Sequence, residues 1–439
     1  MLKPMFLSVC LSAVCFHINA QDNTAVIIKD VTLIDGSGGA ARSHVSLLIK
    51  DDTIAAVLPA GTNYPTKGAE EINGSGKTIM PLMVDAHSHL GLLKGTEIAA
   101  ANFTPDNVTR QLNQYLSYGI GTVLSLGTDQ PTGFFMRDAS RAGMMSGASF
   151  YTAGFGFGAP RGTPPVAFGP SILRPINADQ ALEEMRHLAT LKPDFVKIWV
   201  DGSPKILPEI YRAIIAEAHT HNIKVAAHVY YLEDAHQLVD AGVDVLAHSI
   251  RDQEVDDALI KAMKQKNVYY IPTLCIEDFG LSYGLVSPGW FTDPFFMRSL
   301  EPGVWDMLNS DDYRKKQEGD TDKARKIKAF AIAKRNFQKM DSAGVKIAMG
   351  TDSGAQPVRA QGFSEHRELQ LMAELGIPAV KVISYATHGG AALLGIDAET
   401  GTLQPGKKAD FMVLDADPQL DIRATTNISS IWKNGKQIQ

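Results

Sequence analysis

Between residues 81 and 399, short apolar runs alternate with stretches whose apolar positions recur every three or four residues. This is the rhythm of strands separated by amphipathic helices, and it predicts a parallel sheet. Eight strands are predicted: Ile79–His89, Gly121–Gly127, Ala148–Gly154, Asp194–Val200, Lys224–Val229, Val243–Ser249, Val268–Leu274 and Lys346–Ser353. Thr104-Pro105 reads as an N-cap followed by proline in the first turn, with Gly119 closing that helix. Residues 207–222 carry Ile210, Ala213, Ile214 and Ala218 on one face, and 330–340 lead through Gly344 into the eighth strand. The fold class expected is α/β, a (β/α)8 TIM barrel. Residues 277–327, rich in Pro, Phe, Trp and charge, are its longest insertion and read as a lid of helices.

The two ends have a different rhythm. Residues 25–80 hold short runs such as Ala25–Lys29, Val45–Ile49 and Thr53–Val57, separated by Gly- and Asp-rich turns. The C-terminus repeats this character in Asp410–Leu414, Ile428–Trp432 and the turn Lys433-Asn-Gly435. Neither end has strands enough for a stable sheet alone, so both are expected to build one small β-sandwich. The domains predicted are a leader at 1–20, a composite sandwich from 21–80 plus 400–439, and the barrel at 81–399.

The leader reads as a secretory signal peptide, with Lys3 before the apolar run Met5–Phe16 and cleavage after Ala20. The run is too short to span a bilayer, and no second long apolar run follows it. The chain is therefore expected to be secreted or periplasmic, and free of the membrane once the leader is removed. Of the three cysteines, Cys10 and Cys15 leave with the leader and Cys275 remains, so neither a disulfide scaffold nor a Cys-rich zinc site is expected. With 42 Lys+Arg against 48 Asp+Glu the 439-residue chain carries a net charge of −6, which argues against nucleic acid as a partner. The partner expected is a small-molecule substrate; a homo-oligomer is left open.

Candidate chemistry gathers at the predicted strand ends. Strand one ends Asp85-Ala-His87-Ser-His89, and in a strand residues i and i+2 share a side. Strand four carries Lys197 between apolar neighbours, strand five ends at His228, strand six at His248, and strand eight at Gly350-Thr-Asp352-Ser-Gly354. Any one of these is read most simply as a hydrogen-bonded core residue. Six of them at the mouth of one barrel point to a metal site. Imidazoles with a carboxylate form a zinc-type donor set. A desolvated lysine has a lowered pKa, and its neutral amine can add CO2 to give a carbamate that bridges two ions.

These motifs, with the tail Gly401-Thr-Leu-Gln-Pro-Gly-Lys-Lys-Ala-Asp410, resemble the amidohydrolase superfamily over nearly the whole mature chain, in its imidazolonepropionase-like branch with prolidase-like enzymes. The resemblance implies two divalent ions, with zinc the expected metal. His87, His89 and Asp352 would hold one, His228 and His248 the other, and carbamylated Lys197 would bridge. It also implies catalysis by Asp352, which would take a proton from the attacking water and pass it to the leaving nitrogen.

Substrate contacts are sought at Tyr230 and Tyr231 after strand five, at Arg161 in a Gly-rich loop, and at Arg251 just past His248. His366 is placed on a helix surface. The function expected is hydrolysis of amide bonds in Xaa-Pro dipeptides or N-acyl amino acids. The alternatives are hydrolysis of cyclic amides, lactones or phosphotriesters, and a non-catalytic metal- or solute-binding protein.

Overall fold

The computed structural model describes residues 25–59, 61–62, 68–283 and 287–439; the leader lies outside the described residues. All eight predicted barrel strands are present. Strand one, Met83–Ser88, pairs in parallel with strand two, Ile120–Ser125, which pairs with strand three, Ser149–Thr152. Strands four to eight are Phe195–Trp199, Lys224–His228, Val245–Ala247, Tyr269–Ile271 and Lys346–Ile347, each parallel to the next. Both seams between these arcs are closed. Asp194 N donates to Thr152 O at 2.8 Å and Ala86 N to Met349 O at 3.0 Å, while Ser88 forms a parallel bridge to Ser353.

The period of two along the strands separates two environments. Val123, Val196, Ile198, Val225 and Leu246 face the surrounding helices and share a core with Leu112, Met185, Ile214, Leu238 and Met263. Ala86, Leu124, Ala153, Phe195, Ala226, Val245, Ile271 and Ala348 form a second cluster. Each comes from a different strand or its immediate end, so this cluster fills the barrel. Lys197 stands two residues beyond Phe195, and His228 two beyond Ala226. Both therefore rise on the side of the strand that lines this interior.

The first barrel helix, Pro105–Ser117, starts as predicted: the Thr104 hydroxyl accepts from Asn107 N, and Gly119 beyond its end has φ +79°. The helix read over 330–340 is longer, spanning Lys323–Ser342. The insertion before it holds short helices, Pro294–Met297, Val304–Asn309 and Asp311–Glu318. Its rings pack on one another and on Phe363; the Trp290 and Phe296 centroids are 4.8 Å apart. No helix among the described residues is long and apolar enough to cross a membrane.

Both chain ends do share one β structure. Thr78–Pro81 pairs antiparallel with Phe411–Leu414, which continues to Ile428–Lys433, while Ala25–Leu33 links Thr78–Pro81 to Arg42–Lys50 and Thr53–Leu58. Where a sandwich is expected, the described strands form a single eight-stranded sheet. Its two faces explain this. Leu33, Leu47, Ile54, Phe411 and Val413 enclose a small core of their own, whereas Ile34, Met80, Met412 and Ile431 join the barrel's core. The barrel covers the face that a second layer would cover.

Candidate metal centre

The ends of strands one and eight are laced together by backbone hydrogen bonds. Thr351 N and Asp352 N both donate to His87 O, at 3.0 and 2.7 Å, and His89 N donates to Ser353 O at 2.9 Å. Asp352 is thereby brought against the two imidazoles. His89 Nε2 lies 2.8 Å and His87 Nε2 3.4 Å from Asp352 Oδ1. Close approach has steric conditions. Gly354 has φ +81°, and a Cβ there would stand 2.1 Å from His89 O. Gly127 makes room for Lys197, whose own Cβ would lie 2.7 Å from a side chain at that position.

Lys197 is fully buried, and its Nζ lies 3.2 Å from His87 Nε2. The ring of His248 is 4.5 Å from that of His87 and 4.0 Å from that of His228, centre to centre. Five of the six residues expected at one barrel mouth are thus linked to one another by short contacts, and His228 joins them through His248.

The charge states suit metal ligation. Burial pulls the Lys197 ammonium down to about 7, with Asp352 and Asp201 offsetting part of that cost. Burial also lowers His87 and His248 well below the usual imidazole range, and lowers His228 less far because Asp201 opposes it. Burial would raise Asp352, but the Arg359 guanidinium and the imidazoles of His89 and His87 hold its carboxyl well below the usual range. Uncharged rings at His87, His228 and His248, an ionised Asp352 and an amine that gives up its proton near neutral pH suit a divalent cation.

The residues fit such an ion. His87, His89 and Asp352 each offer a donor atom within 4.8 Å of the others, and His87 Nδ1 is buried without a hydrogen-bond partner. Thr128 Oγ1 lies 2.8 Å from His89 Nδ1, and Thr273 Oγ1 lies 2.8 Å from His248 Nδ1. Each ring is thus held at Nδ1 by a residue outside the ligand set, with Nε2 on the other side of the ring.

Beneath the mouth, Asp85 accepts from His87 N at 2.9 Å and from Thr351 Oγ1 at 2.9 Å, while Glu365 Oε1 lies 2.7 Å from the same hydroxyl. Thr351 has one proton for two carboxyl neighbours. Burial beside Glu365 raises Asp85 well above the carboxylate range, so the pair retains a proton.

Sequence reading missed four contacts here: Thr128, Thr273, Asp201 and Arg359. Asp201 Oδ2 lies 3.0 Å from His228 Nε2, and Arg359 pairs with Asp352 Oδ2. Asp201 follows strand four as closely as other site residues follow theirs, so the strand-end signal could have found it. Arg359 sits seven residues past Asp352 in a loop, where spacing predicts nothing.

The substrate candidates are placed less uniformly. The Arg251 guanidinium stacks over the Tyr230 ring at 4.7 Å, but it is buried, pairs with Glu277 at 2.9 Å and donates to Ser249 O. Tyr231 is exposed beside Lys205. Arg161 is exposed at φ +59°, and no hydrogen bond or ion pair joins it to the six among the described residues. His366 is not on the surface. Its nitrogens are spent on Tyr118 O at 2.8 Å and Thr425 Oγ1 at 2.9 Å, inside the contact between its helix and the C-terminal segment.

The model of the amidohydrolase family matches residues 78–438. Ochratoxinase of Aspergillus niger is 24% identical over 95% of this chain and 87% of its own length. A solved structure of a Xaa-Pro dipeptidase with bound methionine has a TM-score of 0.75 at 22% identity, over 95% of this chain and 100% of that one. A putative prolidase from Bifidobacterium longum likewise gives 0.75, at 24% identity and 94% of each chain.

Proposed function

The chain belongs to the amidohydrolase family, and from that premise we propose that it is an exported, two-metal hydrolase of small amides bearing a free carboxylate, such as Xaa-Pro dipeptides or N-acyl amino acids. The convergence of His87, His89, Lys197, His228, His248 and Asp352 carries this reading. His87, His89 and Asp352 would hold one ion and His228 and His248 the other, with the Lys197 carbamate between them. Zinc is the expected metal. When bound, the ions supply Lewis-acid polarisation of the scissile carbonyl and lower the pKa of water.

The chain's own residues do the rest. Asp352, kept ionised by Arg359, takes a proton from the attacking water and returns it to the leaving nitrogen. Lys197, whose burial outweighs the pull of Asp352 and Asp201 on its ammonium form, is available as a neutral amine to react with CO2. The substrate class is supported by the likeness to a Xaa-Pro dipeptidase and to ochratoxinase. Tyr230, with Arg251 stacked on its ring and the Arg325 guanidinium 3.4 Å from its hydroxyl, offers a hydroxyl donor near the mouth for a carboxylate.

The test is turnover of the zinc-supplied protein on Xaa-Pro dipeptides, other dipeptides and N-acyl amino acids, each with a free or amidated carboxyl end. Cleavage confined to the free acids is expected. Equal cleavage of the amidated forms would refute carboxylate recognition, and no cleavage at all would refute the substrate class in favour of cyclic amides, lactones or phosphotriesters. For export, supported by the leader sequence, the expected mature N-terminus is Gln21; recovery of Met1 on the active protein would overturn it.

A further inference from the structure

Three of the imidazoles at the barrel mouth have one ring nitrogen engaged by a side chain outside the ligand set. For His89 and His248 that partner is a threonine hydroxyl on Nδ1. For His228 it is a carboxylate on the other nitrogen: Asp201 Oδ2, 3.0 Å from Nε2. A hydroxyl can donate or accept, so it does not by itself set the ring's tautomer. An ionised carboxylate can only accept, which places the proton of a neutral His228 on Nε2.

We infer that Asp201 is a positioning residue for the second ion. Its 3.0 Å contact holds the His228 ring from outside the ligand set. The inference rests on the two-metal reading of the same site. Two further observations support it. Asp201 is largely buried, yet its Oδ1 has no hydrogen-bond partner, so the carboxylate does not act as a cap or turn acceptor. A buried anion satisfied at one oxygen is costly in an apolar site, and a nearby divalent cation offsets that cost. Asp201 also lies four residues past Lys197 on the same strand end. One segment thereby supplies both the bridging lysine and the group that aims a ligand from the neighbouring strand.

The experiment measures zinc bound per chain at graded free zinc for the full-length protein and for Asp201→Asn and Asp201→Ala, alongside 15N spectra of histidine-labelled, metal-free protein. Asp201→Ala is expected to weaken the second ion by about 10–100-fold while leaving the first unchanged. It should also remove the Nε2–H signature of one histidine. Asp201→Asn keeps an oxygen acceptor, so it should retain the tautomer and lose less affinity. It also serves if the alanine variant fails to fold. If Asp201→Asn and a folded Asp201→Ala each bind two zinc ions as tightly as the parent, the inference is overturned. If the parent itself binds no zinc, the two-metal reading fails, and the tautomer spectra then judge Asp201 by themselves.

Discussion

The two halves of the barrel mouth solve the same electrostatic problem differently. On the side of strands one and eight, a carboxylate sits among the ligands and is itself paired: Asp352 touches His89 and His87 through one oxygen and Arg359 through the other. On the side of strands five and six there are only imidazoles, His228 and His248, and the nearest carboxylate, Asp201, stands behind a ring. The first half carries its own anion and its own counter-charge. Under the proposed two-metal arrangement, the second half would obtain its anion from Lys197, after reaction with CO2, and from Asp201. A cation should therefore be held more firmly by the first half.

The largest effect should follow removal of the first half's anion. Asp352→Asn is expected to lower kcat by about 10²–10⁴-fold, the usual worth of a positioned acid–base group, while bound zinc falls much less. Near-normal turnover in steady-state assays would break the assignment of Asp352 as the proton carrier. The next effect tests the second half. Lys197→Met preserves length and burial but cannot form a carbamate. It should weaken the second ion by at least about tenfold, or 1.4 kcal/mol. Wild-type protein reconstituted with zinc in CO2-free buffer should behave like the variant until bicarbonate is added. If CO2 has no effect on zinc stoichiometry, the second half does not draw its anion from Lys197.

What the sequence reveals of this contrast follows from where each residue sits. Period-two alternation and punctuation by Gly and Pro located all eight barrel strands, because a buried parallel strand is locally encoded. His87, His89, Lys197, His228, His248 and Asp352 were legible because they lie at those strand ends. Arg359, Thr128 and Thr273 were not. Their partners come from other segments, and a loop side chain's reach depends on backbone turns that no periodicity records. Thr273 at φ +44° and Asp352 at φ +58° are such turns. His366 was misplaced for a related reason. Helical position suggests a surface, but the C-terminal segment returning through Thr425 covers it. Strand patterns likewise do not say which body covers the second face of the sheet that the two ends share.

A smaller effect separates the halves by pH. In the metal-free protein, Asp352 has a folded pKa below its unfolded value, so it contributes stability that is present above the unfolded pKa and is lost as pH falls through the folded one. Arg359→Leu leaves burial, which raises the pKa, less opposed. His89 and His87 still oppose burial, but without a partner on its second oxygen the folded pKa of Asp352 rises, and the variant's stability relative to the parent should decline as pH rises through the acid range. The deficit near neutrality should reach about 3 kcal/mol, the cost of leaving one member of a buried pair alone. Urea denaturation of both metal-free proteins at several pH values measures it. A deficit that is constant with pH would show that Arg359 acts by packing and not by holding Asp352 ionised.

The smallest effect is the sharpest test of whether the halves are separable. Thr128 and Thr273 make matching 2.8 Å contacts to Nδ1 of His89 and of His248, one threonine in each half. Valine keeps the branched shape and removes only the hydroxyl, so each ring should stay in place with a less fixed tautomer. The loss should be about 0.5–1.5 kcal/mol of ion affinity per bond. Thr128→Val should take it from the tighter ion and Thr273→Val from the weaker one, read as separate steps in zinc titrations. The double variant should show the sum of the two, since independent sites add. Losses that appear in the same step, or a double variant far from additive, would mean that Lys197 joins the two halves into one cooperative unit. The contrast between a self-sufficient half and a dependent one would then describe the empty protein alone.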